Sequence, residues 1–255
     1  MNDTRSDFTF GLSRDELLWL IAVFDLSHLP LPEPSFLSVP PQELRERQRA
    51  GAHSLQQRGL LRQEGGTWQV ERLAAGLLQA MAMAQEWLRL DYRTRSGLSR
   101  ALHFFASPDI RFLFDLAEGY ARFCLCADPA TAAEALWGWL ALPSGLEAGE
   151  GALSLPQPFD FLPLAWNNPH LAARVLQKHG LPAQNIPTAL GWTASLEWVC
   201  AASVQERRSG GVAVRLRFVS CGDSARLWGG FEQEGLAVLS GLLPADLRAA
   251  LAELP

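Results

Sequence analysis

Cysteine is the residue type here best suited to nucleophilic, redox or metal chemistry, and the chain has four: Cys124, Cys126, Cys200 and Cys221. Each falls in a stretch that reads as a strand. Cys124 and Cys126 stand two apart, so a strand would turn both to one face, as a metal-binding or redox pair requires. No second Cys or His pair stands at zinc-finger spacing. The simpler reading is four small apolar side chains packed in a reducing compartment. The histidines, His28, His53, His103, His170 and His179, are scattered, and no two lie three or four residues apart. Asp15 and Glu16 suit a first helical turn, where carboxylates meet the positive end of the helix dipole. Asp109 and Asp223 suit turns. Gly-x-Gly-x-x-Gly, Walker A, Gly-x-Ser-x-Gly and His-Glu-x-x-His motifs are absent. The expectation is a protein that is not an enzyme, with no catalytic residue, no cofactor and no metal ligand.

Two residue groups could instead bind a macromolecule. Between Pro40 and Gly65 stand five arginines against three glutamates. Arg45, Arg49 and Arg58 are the candidates for phosphate contacts to DNA. Residues 1 to 70 as a whole hold seven arginines against nine acidic residues, a poor surplus for a DNA-binding head. A solvated helix face laced with Arg–Glu pairs explains the same pattern. The second group is aromatic. Trp137 and Trp139 lie two apart in a predicted helix and cannot share a face. Trp228 precedes Gly229-Gly230, which permits close backbone approach. Phe159 and Phe161 stand among prolines. These five are the candidate protein-contact residues, with local packing as the competing explanation.

The elements that carry these residues read as follows. Ser13 and Glu16 form a capping box, with Leu12 and Leu17 placed as a hydrophobic staple, so a helix starts there after about ten frayed residues. A proline-rich connection through Pro30, Pro32 and Pro34 leads to a helix from Pro41 to about Arg58, with Gly59 beyond its end. A short hairpin turns at Gly65-Gly66, and a helix carries Leu73, Leu77, Met81 and Ala84. Four strands follow, near 88–92, 100–106, 110–117 and 120–127. A helix runs from Pro129 to Leu140. Residues 143–167 read as a linker or long loop. Pro169 to His179 reads as a helix, then strands return to about Ser240 and a last helix starts at Pro244. Each meander is followed by a helix that opens with Pro. The predicted fold class is α+β: a winged-helix-like unit (1–87) and an antiparallel sheet of two meander-plus-helix halves (88–142 and 168–255) with quasi-two-fold layout, all in one compact body.

Composition fits a packed protein, with 48% hydrophobic and 19% charged residues, nine Trp and thirteen Phe. The net charge of −5 argues mildly against general nucleic-acid binding. Lys178 is the only lysine. No apolar run approaches the length of a membrane span and no signal peptide is evident, so a cytoplasmic protein is expected.

The stretch Leu55-Gln56-Gln57-Arg58-Gly59-Leu60-Leu61, followed by a glycine turn, a strand and the helix of Leu73 to Ala84, resembles the EspG chaperones of ESX (type VII) secretion. In that family a leucine and Arg-Gly-Leu element precedes a hairpin, a helix and a meander. The resemblance implies a cytosolic, quasi-two-fold α+β chaperone that binds secreted PE–PPE heterodimers at the substrate tip and keeps them soluble. It transfers no binding residue one by one. The expected function is therefore a protein-binding adapter or secretion chaperone. The alternative is a winged-helix DNA-binding regulator with a C-terminal sensing or dimerisation part.

Overall fold

The structure is a computed structural model that describes residues 9–24, 38–108, 110–117 and 120–253. Pro30, Pro32 and Pro34, His28, Asp109 (expected in a turn), residues 118 and 119, and the first eight residues lie outside the described residues. In chain order the elements are β1 (Thr9–Ser13), α1 (Arg14–Phe24), α2 (Pro41–Gln57), β2 (Leu61–Glu64), β3 (Thr67–Val70), α3 (Arg72–Met83), β4 (Glu86–Thr94), β5 (Ser99–Ala106), β6 (Arg111–Ala117), β7 (Tyr120–Leu125) and α4 (Pro129–Leu140). Then come β8 (Glu147–Ala148), β9 (Ala152–Pro156), α5 (Pro158–Asn167), α6 (Pro169–Lys178), α7 (Ile186–Ser195), β10 (Trp198–Arg208), β11 (Gly211–Gly222), β12 (Arg226–Gln233), β13 (Leu236–Gly241) and α8 (Pro244–Glu253). The mixture of helices and antiparallel strands is α+β. Two compact units divide it: residues 1–85 with 102–128, and residues 86–101 with 129–255.

In the first unit, β5, β6 and β7 run antiparallel in turn, and β1 adds to β7 from Thr9 opposite Cys124 to Ser13 opposite Tyr120. Of the first ten residues, expected to be frayed, only Thr9 and Phe10 are described, and they open a short strand in which Phe10 and Leu12 alternate with Gly11 and are buried. Phe10 and Phe114 both pack on Phe123, at centroid distances of 5.9 and 4.9 Å. The capping box is present: Ser13 N donates to Glu16 Oε2 (2.7 Å) and Glu16 N donates to Ser13 Oγ (3.3 Å). Leu12 and Leu17 are both fully buried.

Glu16 does more than cap. It is 1% exposed, and its carboxylate also accepts from Ser54 Oγ (2.8 Å) and Arg58 Nη1 (2.6 Å), both from the end of α2. Arg58 Nη2 donates to the Gly11 carbonyl at 2.8 Å. Gly51 explains how α2 comes so near: a Cβ there would lie 2.0 Å from the Asp15 carbonyl oxygen. Gly59 (φ 71°) ends α2 in the left-handed region, and Gly65 and Gly66 (φ 57° and 82°) turn the β2–β3 hairpin. Glu71 caps α3 by accepting from Leu73 N and Ala74 N.

The second unit orders its strands β4–β10–β11–β12–β13–β9, all antiparallel, with β8 parallel to β12. Residues 143–167, expected to be a linker, hold β8, β9 and α5. Leu155, Phe159, Phe161 and Leu162 from this stretch are buried in the core of the unit. Pro158 begins α5 and Pro163 lies within it, so the prolines that suggested a loop punctuate a helix instead. The helix α7 was not anticipated, because Pro187 and Gly191 obscure its period.

The order of elements runs twice along the chain. A strand, three helices, four successive strands and a helix describe β1 to α4 without the β2–β3 hairpin, and again β9 to α8. In each run the first strand pairs with the last of the four, β1 with β7 and β9 with β13.

Replacing Glu16 by Ala would strand Ser54 and Arg58 without their acceptor. Because Arg58 is 40% exposed, the expected cost is about 2–3 kcal/mol, below that of a fully buried pair. Gly51→Ala is expected to cost at least as much, since the Cβ meets backbone. Urea denaturation curves of both variants check this. Midpoints matching the unsubstituted protein would contradict it.

Candidate interaction surfaces

Burial removes Cys200 and Cys221 from thiol chemistry, whereas Cys124 is only partly buried. Cys200 on β10 and Cys221 on β11 are free and fully enclosed, and burial pushes both thiols well above their ordinary range. Cys124 ends its pairing within β7, while Cys126 lies just past the strand rather than in it. Among the described residues no three His, Cys, Asp or Glu side chains stand together as a metal site. His103 is buried between the rings of Phe105 and Phe114.

The three arginines considered for DNA contact part company. Arg58 is spent on Glu16 and Gly11, and its guanidinium also lies 5.9 Å from the Phe10 ring. Those contacts give it a structural role at the end of α2. Arg45 and Arg49 are exposed on α2. Between them Arg47 pairs with Asp15 (3.4 Å) and Glu43 (3.3 Å), which is the Arg–Glu lacing of a solvated helix face.

The five candidate contact aromatics are largely covered. Phe159 and Phe161 are core residues, and the Arg93 guanidinium lies 4.2 Å over the Phe159 ring. Trp228 is 3% exposed. Its Nε1 donates to the Glu150 carbonyl (3.3 Å), and its ring meets Trp192 edge-on at 5.3 Å. These three are not surface anchors, because each fills the core of its unit. Trp137 and Trp139 are half-buried and, as their spacing demands, reach different partners. Arg248 lies 4.5 Å over Trp137 and Arg100 lies 4.7 Å over Trp139. The residual surface of Trp228 opens with Trp192, Leu153, Leu181 and Ala189 onto a cleft of about 300 Å³.

Among the described residues, exposed apolar side chains gather on β11 to β13, a surface not singled out from the sequence. β11 pairs with β10 over its whole length, whereas β12 reaches it only from Phe218 to Gly222. Among the described residues the Gly211–Arg217 half therefore has an open edge. Val212, Val214 and Leu216 on this half are exposed, Val214 by 51%. A bulge interrupts the pairing: Val204 faces Leu216 and Gln205 faces Val214, so Arg215 is the extra residue. Phe231, Leu236 and Val238 on β12 and β13 are exposed as well. Arg215 pairs with Glu86 (3.2 Å) and Arg217 with Glu232 (3.5 Å) beside them. The alternation of Val212, Val214, Leu216 and Phe218 shows that a strand is there, but nothing in it separates the covered end from the bare one.

No family model matches the sequence, and no curated protein matches it. The structure is similar to that of the Mycobacterium tuberculosis type VII secretion system chaperone EspG5, solved in complex with the PE25–PPE41 dimer. Identity is 11%, 97% of each chain is covered, and the TM-score is 0.62. The likeness is one of fold, and it extends over nearly the entire chain: the structural relationship to EspG is distant and real. Among the described residues no helix is long and apolar enough to cross a membrane.

Two outcomes follow from the buried groups. Cys200 and Cys221 are expected to resist a thiol reagent such as DTNB until the protein unfolds. Their folded pKa values are raised, so the unfolded chain releases these protons first, and stability falls as pH rises above the ordinary thiol value of 9.0. Urea midpoints at pH 8 and pH 10 check the sign. Separately, a Cβ on Gly149 would lie 1.9 Å from the Trp228 indole. Gly149→Ala is expected to change the near-ultraviolet circular dichroism of the Trp192–Trp228 pair and lower the melting temperature.

Proposed function

We propose that this protein is a non-enzymatic adapter or secretion chaperone that works in the cytoplasm and holds another polypeptide against the open half of β11. The observation that carries this reading is the uncovered edge at Gly211–Arg217 together with the exposed apolar residues around it. Unpaired backbone N–H and C=O groups at an edge can take an added strand, and exposed apolar side chains on both faces of that half add affinity. Natural edges are usually blunted, and here the bulge at Arg215 and the Arg215–Glu86 pair serve that end without covering the apolar residues.

The fold likeness to EspG5, whose solved complex contains a PE–PPE dimer, supports a protein client, and it makes a dimer of that kind the first partner to try. The net charge of −5 and the engagement of Arg58 by Glu16 point away from nucleic acid.

The test is affinity capture from native extract with the protein and with a Val214→Glu/Leu216→Glu double variant. A stoichiometric companion that survives nuclease and 0.3 M salt is expected, with at least about tenfold weaker retention by the variant. Both substitutions replace exposed side chains, so the melting temperature should stay within a degree or two of the parent, in keeping with the small effect of surface changes. A companion held equally by the variant would remove β11 from the reading. Nucleic acid that elutes with salt, and no protein companion, would remove the chaperone.

A further inference from the structure

Where β4 ends and β10 begins, a hollow of about 510 Å³ is lined by Tyr92, Thr94, Arg95, Ser96, Glu197 and Trp198, among others. Tyr92 is only 6% exposed. Its ring stacks on Trp198 at 6.2 Å, and the Arg100 guanidinium lies 5.6 Å from it. Buried tyrosine hydroxyls normally find a hydrogen-bond partner. Trp198 has one, since its Nε1 donates to the Asp223 carbonyl at 3.3 Å. The Tyr92 hydroxyl bonds no described residue; it is not among the buried polar atoms and opens onto the hollow, where solvent reaches it. Burial pushes its pKa up, with smaller opposing and reinforcing effects from Arg100 and from Cys200 and Glu197. The group stays a neutral donor at ordinary pH.

Two opposite charges, both on exposed residues, line the same hollow. Arg95 N donates to the Glu197 carbonyl (2.7 Å), which sets the two residues side by side. Arg95 Nη1 donates to the Ala194 carbonyl (2.6 Å), which fixes the guanidinium and leaves its other N–H groups. Neither Arg95 nor Glu197 forms an ion pair with a described residue. The Thr94 and Ser96 hydroxyls bond each other at 2.8 Å on the rim. An anion alone would answer Arg95 and repel Glu197, and a cation alone would do the reverse. A ligand carrying both charges answers both.

We propose that this hollow binds a small zwitterion of the free α-amino acid or dipeptide class, with its carboxylate on Arg95 and the Tyr92 hydroxyl and its ammonium on Glu197. The site uses no residue of β11 and stands independently of the chaperone reading.

The test is a titration of the full chain with the free standard amino acids and glycyl dipeptides at low salt. It is followed by isothermal calorimetry and by backbone NMR shifts of residues 92–96 and 197–198. At least one member of the panel is expected to bind and to move those resonances. Its N-acetylated and C-amidated forms, which each lack one charge, should bind at least about tenfold more weakly. Glu197→Gln should weaken the parent ligand by a similar factor without weakening the N-acetylated form further. Tyr92→Phe should weaken it several-fold with the melting temperature preserved. Absence of any shift across the panel would overturn the proposal. So would binding that ignores both substitutions, or equal binding of the acetylated form, which would mark a chain terminus or a neutral group as the ligand.

Discussion

Burying a carboxylate is costly unless donors surround it, and the first unit is organised around one such group. Glu16 belongs to a local motif, the capping box, that any isolated helix could use. Here its two oxygens are shared with Ser54 and Arg58, about forty residues along the chain, so a local signal becomes a tertiary lock. The lock passes further, because Arg58 also holds the Gly11 carbonyl on the strand that leads into α1. Burial of α1, the angle of α2 and the seat of β1 rest on one charge being fully answered. The same contacts account for the position of Arg58, whose guanidinium joins Glu16 to the Gly11 carbonyl.

The second unit is limited by close approach more than by charge. A Cβ on Gly222 would meet the Trp198 ring and the Arg226 carbonyl, and one on Gly230 would meet the Val238 carbonyl at 2.1 Å. The Gly229-Gly230 pair thus allows the close backbone approach its sequence suggested. Large indoles pack against bare backbone, which is how residues of this size come to be almost wholly enclosed.

The sequence was most legible where a local rule has a single physical reading. The capping box, the glycines at the end of α2 and in the hairpin, and the four successive strands before Pro129 all stand as expected, and the Arg-Gly-Leu segment pointed to the fold that structural comparison finds. It was least legible where one residue type serves two ends. Pro158 and Pro163 looked like loop residues and belong to a helix. Phe159, Phe161 and Trp228 looked like anchors for a partner and are core. Burial is decided by what lies across the fold, and local pattern carries no record of that. The open half of β11 was invisible for the same reason: only the place where β12 stops makes it bare.

The pairing of each run's first strand with its last has a consequence for how the molecule forms. β1 joins β7 across more than a hundred residues, and β9 joins β13 across at least eighty. Loop closure on that scale comes late and slowly compared with hairpins between neighbours. On a ribosome, which releases the chain N-terminus first, β1 and β9 are made early and have nowhere to go until their meanders are complete. During that interval the outermost edges of both meanders stand open to any extended segment nearby.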